Sequence, residues 1–206
     1  EAFFEKLKTA QTLPTTSQVN VGQFVESFER IVREGDEAVV ITLSSKLSGK
    51  YSAAVTAAEE AGAGRISVID SRFVSFGQGL LVLKAAEMAR EGMSRAEIVS
   101  ACEKLIERMV MLIFVDTLTY LHKGGRLSAG EAVIGGLLSI KPILHVKDGA
   151  LASLDKVRGR KKSLKWFEEY LQTHLSEISE ERVGFFHAAD PEYMEETIDA
   201  ATGIIN

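Results

Sequence analysis

The sequence lacks the features of a secreted or membrane protein. It contains one cysteine, Cys102, which excludes an internal disulfide framework and, within a helical pattern, indicates a small core residue rather than a nucleophile. Its apolar runs are too short to span a bilayer, so we expect no stable membrane insertion, while transient membrane contact stays open. The opening residues, 1–4, carry no basic segment followed by an apolar signal core. These patterns predict a cytoplasmic protein.

Nucleotide and metal motifs are also missing. No G-x-x-x-x-G-K-[ST] loop occurs, and Gly77-Gln78-Gly79 lacks the third glycine of a dinucleotide fingerprint. No histidine stands at metal-ligand spacing from a Cys, Asp or Glu; the four are His122, His145, His174 and His187. We therefore expect neither a cofactor nor a metal. The formal net charge of -5 argues against nucleic acid as the main partner.

Alternating strand and helix patterns predict an α/β fold in two domains. Residues 1–125 form the predicted parallel α/β sheet domain, and residues 126–206 form a smaller α/β domain with a hairpin and an amphipathic helix. The Gly-Gly break at 124–125 separates them. Strands are predicted at 38–41, 65–70, 109–115 and 183–187, a helix at 131–138, a capping box at Ser94 with Glu97, and a hairpin around Lys147-Asp148-Gly149.

A hydroxyl-rich turn joins the first predicted strand to a helical pattern. Ser44, Ser45 and Ser48 follow the strand, and Tyr51 begins a series of apolar residues at helical spacing. Free amides and the positive end of the helix dipole converge there, which favours a carboxylate or phosphate. Neutral hydroxyls without a glycine-rich loop suit a carboxylate better than a triphosphate. The alternative is that Ser48 simply caps the helix.

Two further polar segments are candidates for the same site. Asp116 and Thr117 follow the third predicted strand, and ligands bind outside the carboxyl ends of strands in open α/β sheets. We therefore expect Asp116 and Thr117 at the edge that carries Ser44 and Ser45. The Thr-Thr-Ser loop at 15–17 is the other candidate.

A serine-dependent enzyme is the alternative function. Ser44 or Ser45 would then attack a small acyl or phosphoryl metabolite, which requires a nearby base. The surrounding Leu-Ser-Ser-Lys differs from the G-x-S-x-G of a nucleophile elbow, and spacing does not tell which histidine approaches the turn. A regulatory interaction module that uses the fold without a ligand is a third alternative.

Basic residues form two clusters, one at Lys123 with Arg126 and one at 158–162. One interpretation is a solvated surface. The other is a docking surface for an acidic protein or a clamp for a phosphate, since the planar arginine fork pairs directionally.

Six sequence blocks, taken in order, resemble the DegV family, and together they cover essentially the whole chain. The blocks are Leu13-Pro-Thr-Thr-Ser-Gln18, Ile41-Thr-Leu-Ser-Ser-Lys-Leu-Ser-Gly49, Val68-Ile-Asp-Ser71, Val115-Asp-Thr-Leu-Thr-Tyr-Leu-His-Lys-Gly-Gly-Arg126, Lys141-Pro-Ile-Leu144 and Lys156-Val-Arg-Gly-Arg-Lys-Lys162. The resemblance implies a two-domain DegV-like α/β fold that binds one long-chain fatty acid between its domains. In many bacteria, members of this family are the fatty-acid-binding subunit of fatty acid kinase.

The resemblance also implies roles for particular residues. Hydroxyls hold the fatty-acid carboxylate, and they belong to Thr16, Ser17, Ser44 and Ser45. A separate ATP-using kinase subunit phosphorylates that carboxylate, and this chain carries the acyl phosphate toward phospholipid synthesis. The chain itself is then not an enzyme. The residues expected to contact the kinase subunit are Arg126, Arg158 and Arg160.

The chain departs from the family pattern at both ends. Members usually open with a strand that carries a Thr-Asp-Ser-type motif and close with a His-x-Gly-Pro-Gly-like segment, and neither occurs here. We therefore expect the terminal segments of the family fold to be missing. Since the family's pocket histidine belongs to the closing segment, His187 is not assigned that role.

Overall fold

The computed structural model describes residues 2–127, 140–178 and 182–205. Its helices are α1 (Ala2–Thr9), α2 (Val21–Arg33), α3 (Lys50–Ala61), α4 (Ser75–Arg90), α5 (Arg95–Arg108), α6 (Thr119–Lys123), α7 (Arg160–His174) and α8 (Pro191–Ile205). Its strands are β1 (Ala38–Thr42), β2 (Ile66–Asp70), β3 (Leu112–Phe114), β4 (Ile140–Lys147) and β5 (Ala150–Arg158). The predicted α/β class is confirmed. The helix predicted at 131–138 lies outside the described residues.

Strands β1 and β2 form a parallel pair joined by the crossover helix α3. Ala38 lies opposite Ile66, and Thr42 lies opposite Asp70. The register brings the carboxyl ends of both strands to one edge, where the next residues leave the sheet. The serine-rich turn therefore begins beside Asp70.

Strands β3, β4 and β5 form a second sheet in that order. Asp148 and Gly149 connect β4 to β5 and have φ values of 50° and 83°. Positive φ at both central residues identifies a two-residue type I′ turn, which matches the twist of an antiparallel pair and favours the Asp-Gly sequence. The predicted hairpin is confirmed.

The strand predicted at 109–115 is present as β3 but in a different sheet, and the strand predicted at 183–187 is wrong. β3 pairs with β4 rather than joining β1 and β2, so the shared-edge argument that brought Asp116 to Ser44 fails. Asp116 instead forms an ion pair with Lys141 of β4. An apolar run predicts that a strand is buried, but it does not predict which strand it pairs with. The segment 183–187 is not a strand, because β propensity produces a strand only where a neighbouring strand supplies hydrogen bonds.

Two helices begin with reciprocal capping boxes. In α5, Ser94 and Glu97 form the predicted box, and the hydrogen bonds from Ser94 lower the pKa of Glu97. In α2, the Asn20 side chain accepts from the Gln23 amide at 3.0 Å, and Gln23 accepts from the Asn20 amide at 3.2 Å. Both helix starts are thus determined by local sequence.

The chain divides into two compact units. One contains Glu1–Thr16, Ile113–Leu144 and Ser153–Asn206, and the other contains Ser17–Leu112 and His145–Ala152. We refer to them as the first and second unit. The division into domains at residues 125 and 126 stays a prediction.

The second unit has a core built where α2 packs on α3. Phe28 of α2 lies against Ala54 and Ala57 of α3, and both alanines are fully buried. Small side chains on α3 let the two helices approach closely. Cys102 is also fully buried, and burial raises the pKa of its thiol, so it is a core residue as predicted.

The first unit has an aromatic core around Phe114. Its ring centroid lies 5.7 Å from that of Phe167 and 6.2 Å from that of Tyr193, in edge-on contacts that bring α7 and α8 to β3. Ile143 and Leu144 of β4 are fully buried.

Candidate functional site

The serine turn, residues 44–49, links β1 to α3 in the second unit. The Ser44 amide donates to the Phe73 carbonyl at 2.8 Å, and the Ser44 carbonyl accepts from the Leu47 amide at 3.0 Å and the Ser48 amide at 3.1 Å. These bonds close the turn on itself and attach it to the segment after β2. The turn therefore has a defined shape.

The Ser44 side chain is fully buried, and its hydroxyl has two partners. It donates to the Gly149 carbonyl at 2.5 Å and accepts from the Lys46 amide at 3.2 Å. A hydroxyl has a single hydrogen, so Ser44 would have to release Gly149 before it could donate to a carboxylate. The role of Ser44 as a carboxylate ligand stays a prediction.

Ser45 differs from its neighbour because it is exposed. Its amide donates to Oδ1 of Asp70 at 3.1 Å, and the Arg72 amide donates to the same oxygen at 2.9 Å. Asp70 thus fixes the Ser45 backbone while the Ser45 side chain faces solvent. This exposed hydroxyl is available as a donor to a ligand.

The amino end of α3 completes the turn. The Ser48 hydroxyl accepts from the Lys50 amide at 3.3 Å, while Gly49 occupies the N-cap position. Ser48 therefore accepts from the first helical amide, but it is not the N-cap residue that the alternative interpretation made it, and Gly49 has no side-chain capping bond. The intrahelical bonds begin with the Ala53 amide, which donates to the Gly49 carbonyl, and the amides of the first turn before it have no acceptor within the helix. Capping and anion binding are compatible here.

Gln18, the residue after the Thr-Thr-Ser loop, lies against Gly49 of the serine turn. A Cβ placed on Gly49 would lie 2.9 Å from the Gln18 Nε2 and would also overlap the Gln18 Oε1, so the Gln18 amide lies directly over Gly49 and would have to move if residue 49 carried a side chain. Ser17 precedes Gln18, is exposed and belongs to the same unit as the serine turn. Thr16 is exposed and belongs to the first unit, and its role stays a prediction.

The three predicted partner-binding arginines have different surroundings. Arg158 is exposed at the end of β5, and Arg126 is exposed with Nη1 donating to the Gly124 carbonyl at 2.6 Å. Arg160 instead engages α8: its Nε lies 3.1 Å from Oε2 of Glu196, and its guanidinium lies 4.6 Å from the centre of the Tyr193 ring. Arg160 therefore ties α7 to α8, a role that sequence spacing could not reveal.

The histidines show no sign of a metal site. Within residues 2–127, 140–178 and 182–205, no group of three or more His, Cys, Asp or Glu side chains is placed to hold a metal ion. His174 is half-buried in α7: its ring stacks on that of Tyr170 with the centroids 4.1 Å apart, and its Nδ1 lies 2.8 Å from the Tyr170 carbonyl oxygen. In the same ranges, no helix has the length and apolar character needed to cross a bilayer.

Comparisons with known proteins connect this chain to one family. Residues 1–204 match the family model described as "Uncharacterised protein, DegV family". A DegV domain-containing protein of Caldanaerobacter subterraneus is 43% identical over 201 residues, which cover 98% of this chain and 71% of the relative. Other curated relatives, from Halalkalibacterium halodurans and Clostridium perfringens, are each covered to 66%. The chain thus spans about two thirds of the length of these relatives.

Solved structures give the same result. DegV of Bacillus subtilis, described as a fatty acid binding protein, matches with a TM-score of 0.82 and 34% identity, covering 98% of this chain and 72% of that one. A DegV family protein of Ruminococcus gnavus, described with vaccenic acid, matches with a TM-score of 0.83 and 26% identity, covering 100% of this chain and 74% of that one. By sequence and by fold, this chain belongs to the DegV family.

Proposed function

We propose that this protein binds one long-chain fatty acid, with the carboxylate at the serine turn, and that it acts as a carrier rather than a catalyst. The observation that carries the proposal is the exposed Ser45 in the turn that leads into the amino end of α3. Structural relatives described as fatty acid binding support the choice of ligand. No cofactor enters this proposal.

The geometry supports a carboxylate at this position. The Ser45 hydroxyl is the proposed donor, and the first turn of α3, at the positive end of the helix dipole, favours an anion. Ser17 offers a further exposed hydroxyl in the same unit. Hydrogen bonds from neutral donors orient the head group, while burial of the acyl chain supplies most of the binding free energy.

The contacts of both serines favour binding over catalysis. A serine nucleophile needs a base that takes its proton, but the Ser44 hydroxyl donates to a backbone carbonyl, which is not a base. The carboxylate of Asp70 accepts from the Ser45 amide. No observation at the turn therefore favours the serine-dependent enzyme.

The Ser45→Ala variant is expected to bind palmitate about tenfold more weakly, because one hydrogen bond to a charged head group is lost. Its stability should stay within ~0.5 kcal/mol of the wild type, since Ser45 is exposed. Isothermal titration calorimetry measures the affinity, and thermal denaturation checks the fold.

Ser100→Ala is the matched control for this change. Ser100 is an exposed serine of α5 in the same unit, so its removal should leave palmitate binding unchanged. Equal palmitate affinities for Ser45→Ala and Ser100→Ala would show that Ser45 does not bind the carboxylate.

The proposal extends to a partner, a separate ATP-dependent fatty acid kinase subunit in the cytoplasm. That subunit phosphorylates the presented carboxylate, and this protein carries the acyl phosphate toward phospholipid synthesis. Exposed Arg126 and Arg158 support a docking role, and Arg160 supports it indirectly by holding α7 to α8. Arg158→Glu should weaken binding to the kinase subunit and leave palmitate affinity unchanged; kinase binding equal to the wild type would argue against this surface.

A further inference from the structure

The tip of the β4–β5 hairpin, Asp148–Gly149, is in direct contact with the serine turn. The buried Ser44 hydroxyl donates to the Gly149 carbonyl at 2.5 Å, across 105 residues of sequence. A Cβ placed on Gly149 would lie 2.8 Å from the Ser44 Oγ and 3.3 Å from the Lys46 Cγ. Glycine at 149 is therefore required by close approach as well as by its φ of 83°.

The hairpin tip is a rigid support. A two-residue type I′ turn fixes both central residues at positive φ, and the flanking strands hold the ends of the turn in register. The position of the Gly149 carbonyl is therefore determined by the β4–β5 ladder. The hydrogen bond from Ser44 to Gly149 thus connects that ladder to the serine turn, which lies 105 residues earlier in the sequence.

The two hydrogen bonds of the Ser44 side chain act on both sides of Ser45. One attaches Ser44 to the hairpin tip, and the other fixes the amide of Lys46, the residue after Ser45. The backbone of Ser45 is held between these points and by Asp70. A displacement of the Ser44 side chain would therefore reach the backbone on both sides of Ser45.

We infer that Ser44 and Gly149 are positioning residues for the carboxylate site, and that the hairpin tip aims the Ser45 hydroxyl at the head group. This inference rests on the proposed fatty-acid binding. It assigns different roles to the two adjacent serines: Ser45 donates to the ligand, and Ser44 donates to the protein.

Gly149→Ala tests the inference, with Gly35→Ala as its matched control. Gly35 has a φ of 82°, nearly the same as Gly149, but a Cβ placed on it has no heavy atom within 4 Å. Both variants place alanine at nearly the same positive φ in the same unit, and only alanine at 149 pushes against Ser44. The difference between them isolates the contact with the serine turn.

The measurement compares palmitate with hexadecanol, which has the same chain and a neutral head group. We expect Gly149→Ala to lower the palmitate-to-hexadecanol affinity ratio about tenfold, and Gly35→Ala to leave the ratio within about twofold of the wild type. A loss of stability without a change in head-group placement would weaken both ligands equally. The ratio therefore separates positioning from general destabilisation.

A milder variant covers the case in which Gly149→Ala does not fold. Asp148→Gly keeps the Ser44 hydroxyl and the Gly149 carbonyl but loosens the tip, and we expect it to lower the ratio about threefold. If folded Gly149→Ala or Asp148→Gly keeps the wild-type ratio while the wild type binds palmitate, the positioning inference is overturned alone. If the wild type binds no palmitate, both the positioning inference and the proposed function are overturned.

Discussion

Octanoate should bind this protein about ten-thousand-fold more weakly than palmitate. The two acids share a carboxylate and differ by eight methylenes, each contributing ~0.8 kcal/mol when buried. The total of ~6 kcal/mol corresponds to about four orders of magnitude in Kd. Because Ser45 binds the same head group in both acids, its contribution to the binding free energy cancels in this comparison. Titration calorimetry below the critical micelle concentration measures both constants.

Dodecanoate provides the internal control for this series. Its affinity for the protein should be about two orders of magnitude lower than that of palmitate, since four methylenes are removed. A steady decline along the series shows that the whole chain is buried. Affinities that do not change with chain length would mean that the protein binds only the head group, and the carrier proposal would then fail.

The Phe28→Ala variant should lower the free energy of unfolding of the second unit by about 4 kcal/mol. Phe28 is 3% exposed and fills the contact between α2 and the fully buried Ala54 and Ala57. Truncation removes the ring from between α2 and α3 and leaves a cavity that the surrounding side chains fill only in part. Hydrogen exchange of the α2 and α3 amides measures the change within this unit.

Phe3→Ala is the control for the core prediction. Phe3 is 58% exposed on α1, so its truncation should change stability by less than ~0.5 kcal/mol. Equal effects of the two variants would show that the α2–α3 contact does not stabilise the unit. Because α3 begins at the serine turn, Phe28→Ala should also weaken palmitate binding.

Local chemistry predicts several parts of this structure from sequence alone. The Asp148-Gly149 pair predicts a type I′ turn because few other residue pairs accept positive φ at both positions. The capping box of Ser94 and Glu97 is predicted from their spacing of three residues. The serine turn itself is predicted in the same way, from the change between an apolar run and a helical period. These features need no information from distant residues.

The remaining features depend on contacts between distant residues. Ser44 and Ser45 are adjacent and chemically identical, yet Ser44 is buried against the distant Gly149 while Ser45 is exposed. The pairing of β3 with β4 is likewise a choice of neighbour that the apolar pattern does not encode. Arg160 has the sequence context of a surface residue, but α8 places Glu196 beside it.

The most direct test of the central claim is the mass spectrum of whatever a denaturing solvent extracts from the purified protein. The account predicts a long-chain fatty acid in an amount approaching one per protein molecule. The wild type should therefore yield more fatty acid than Ser45→Ala purified in parallel. A preparation that yields no fatty acid and also fails to take up added palmitate would contradict the account.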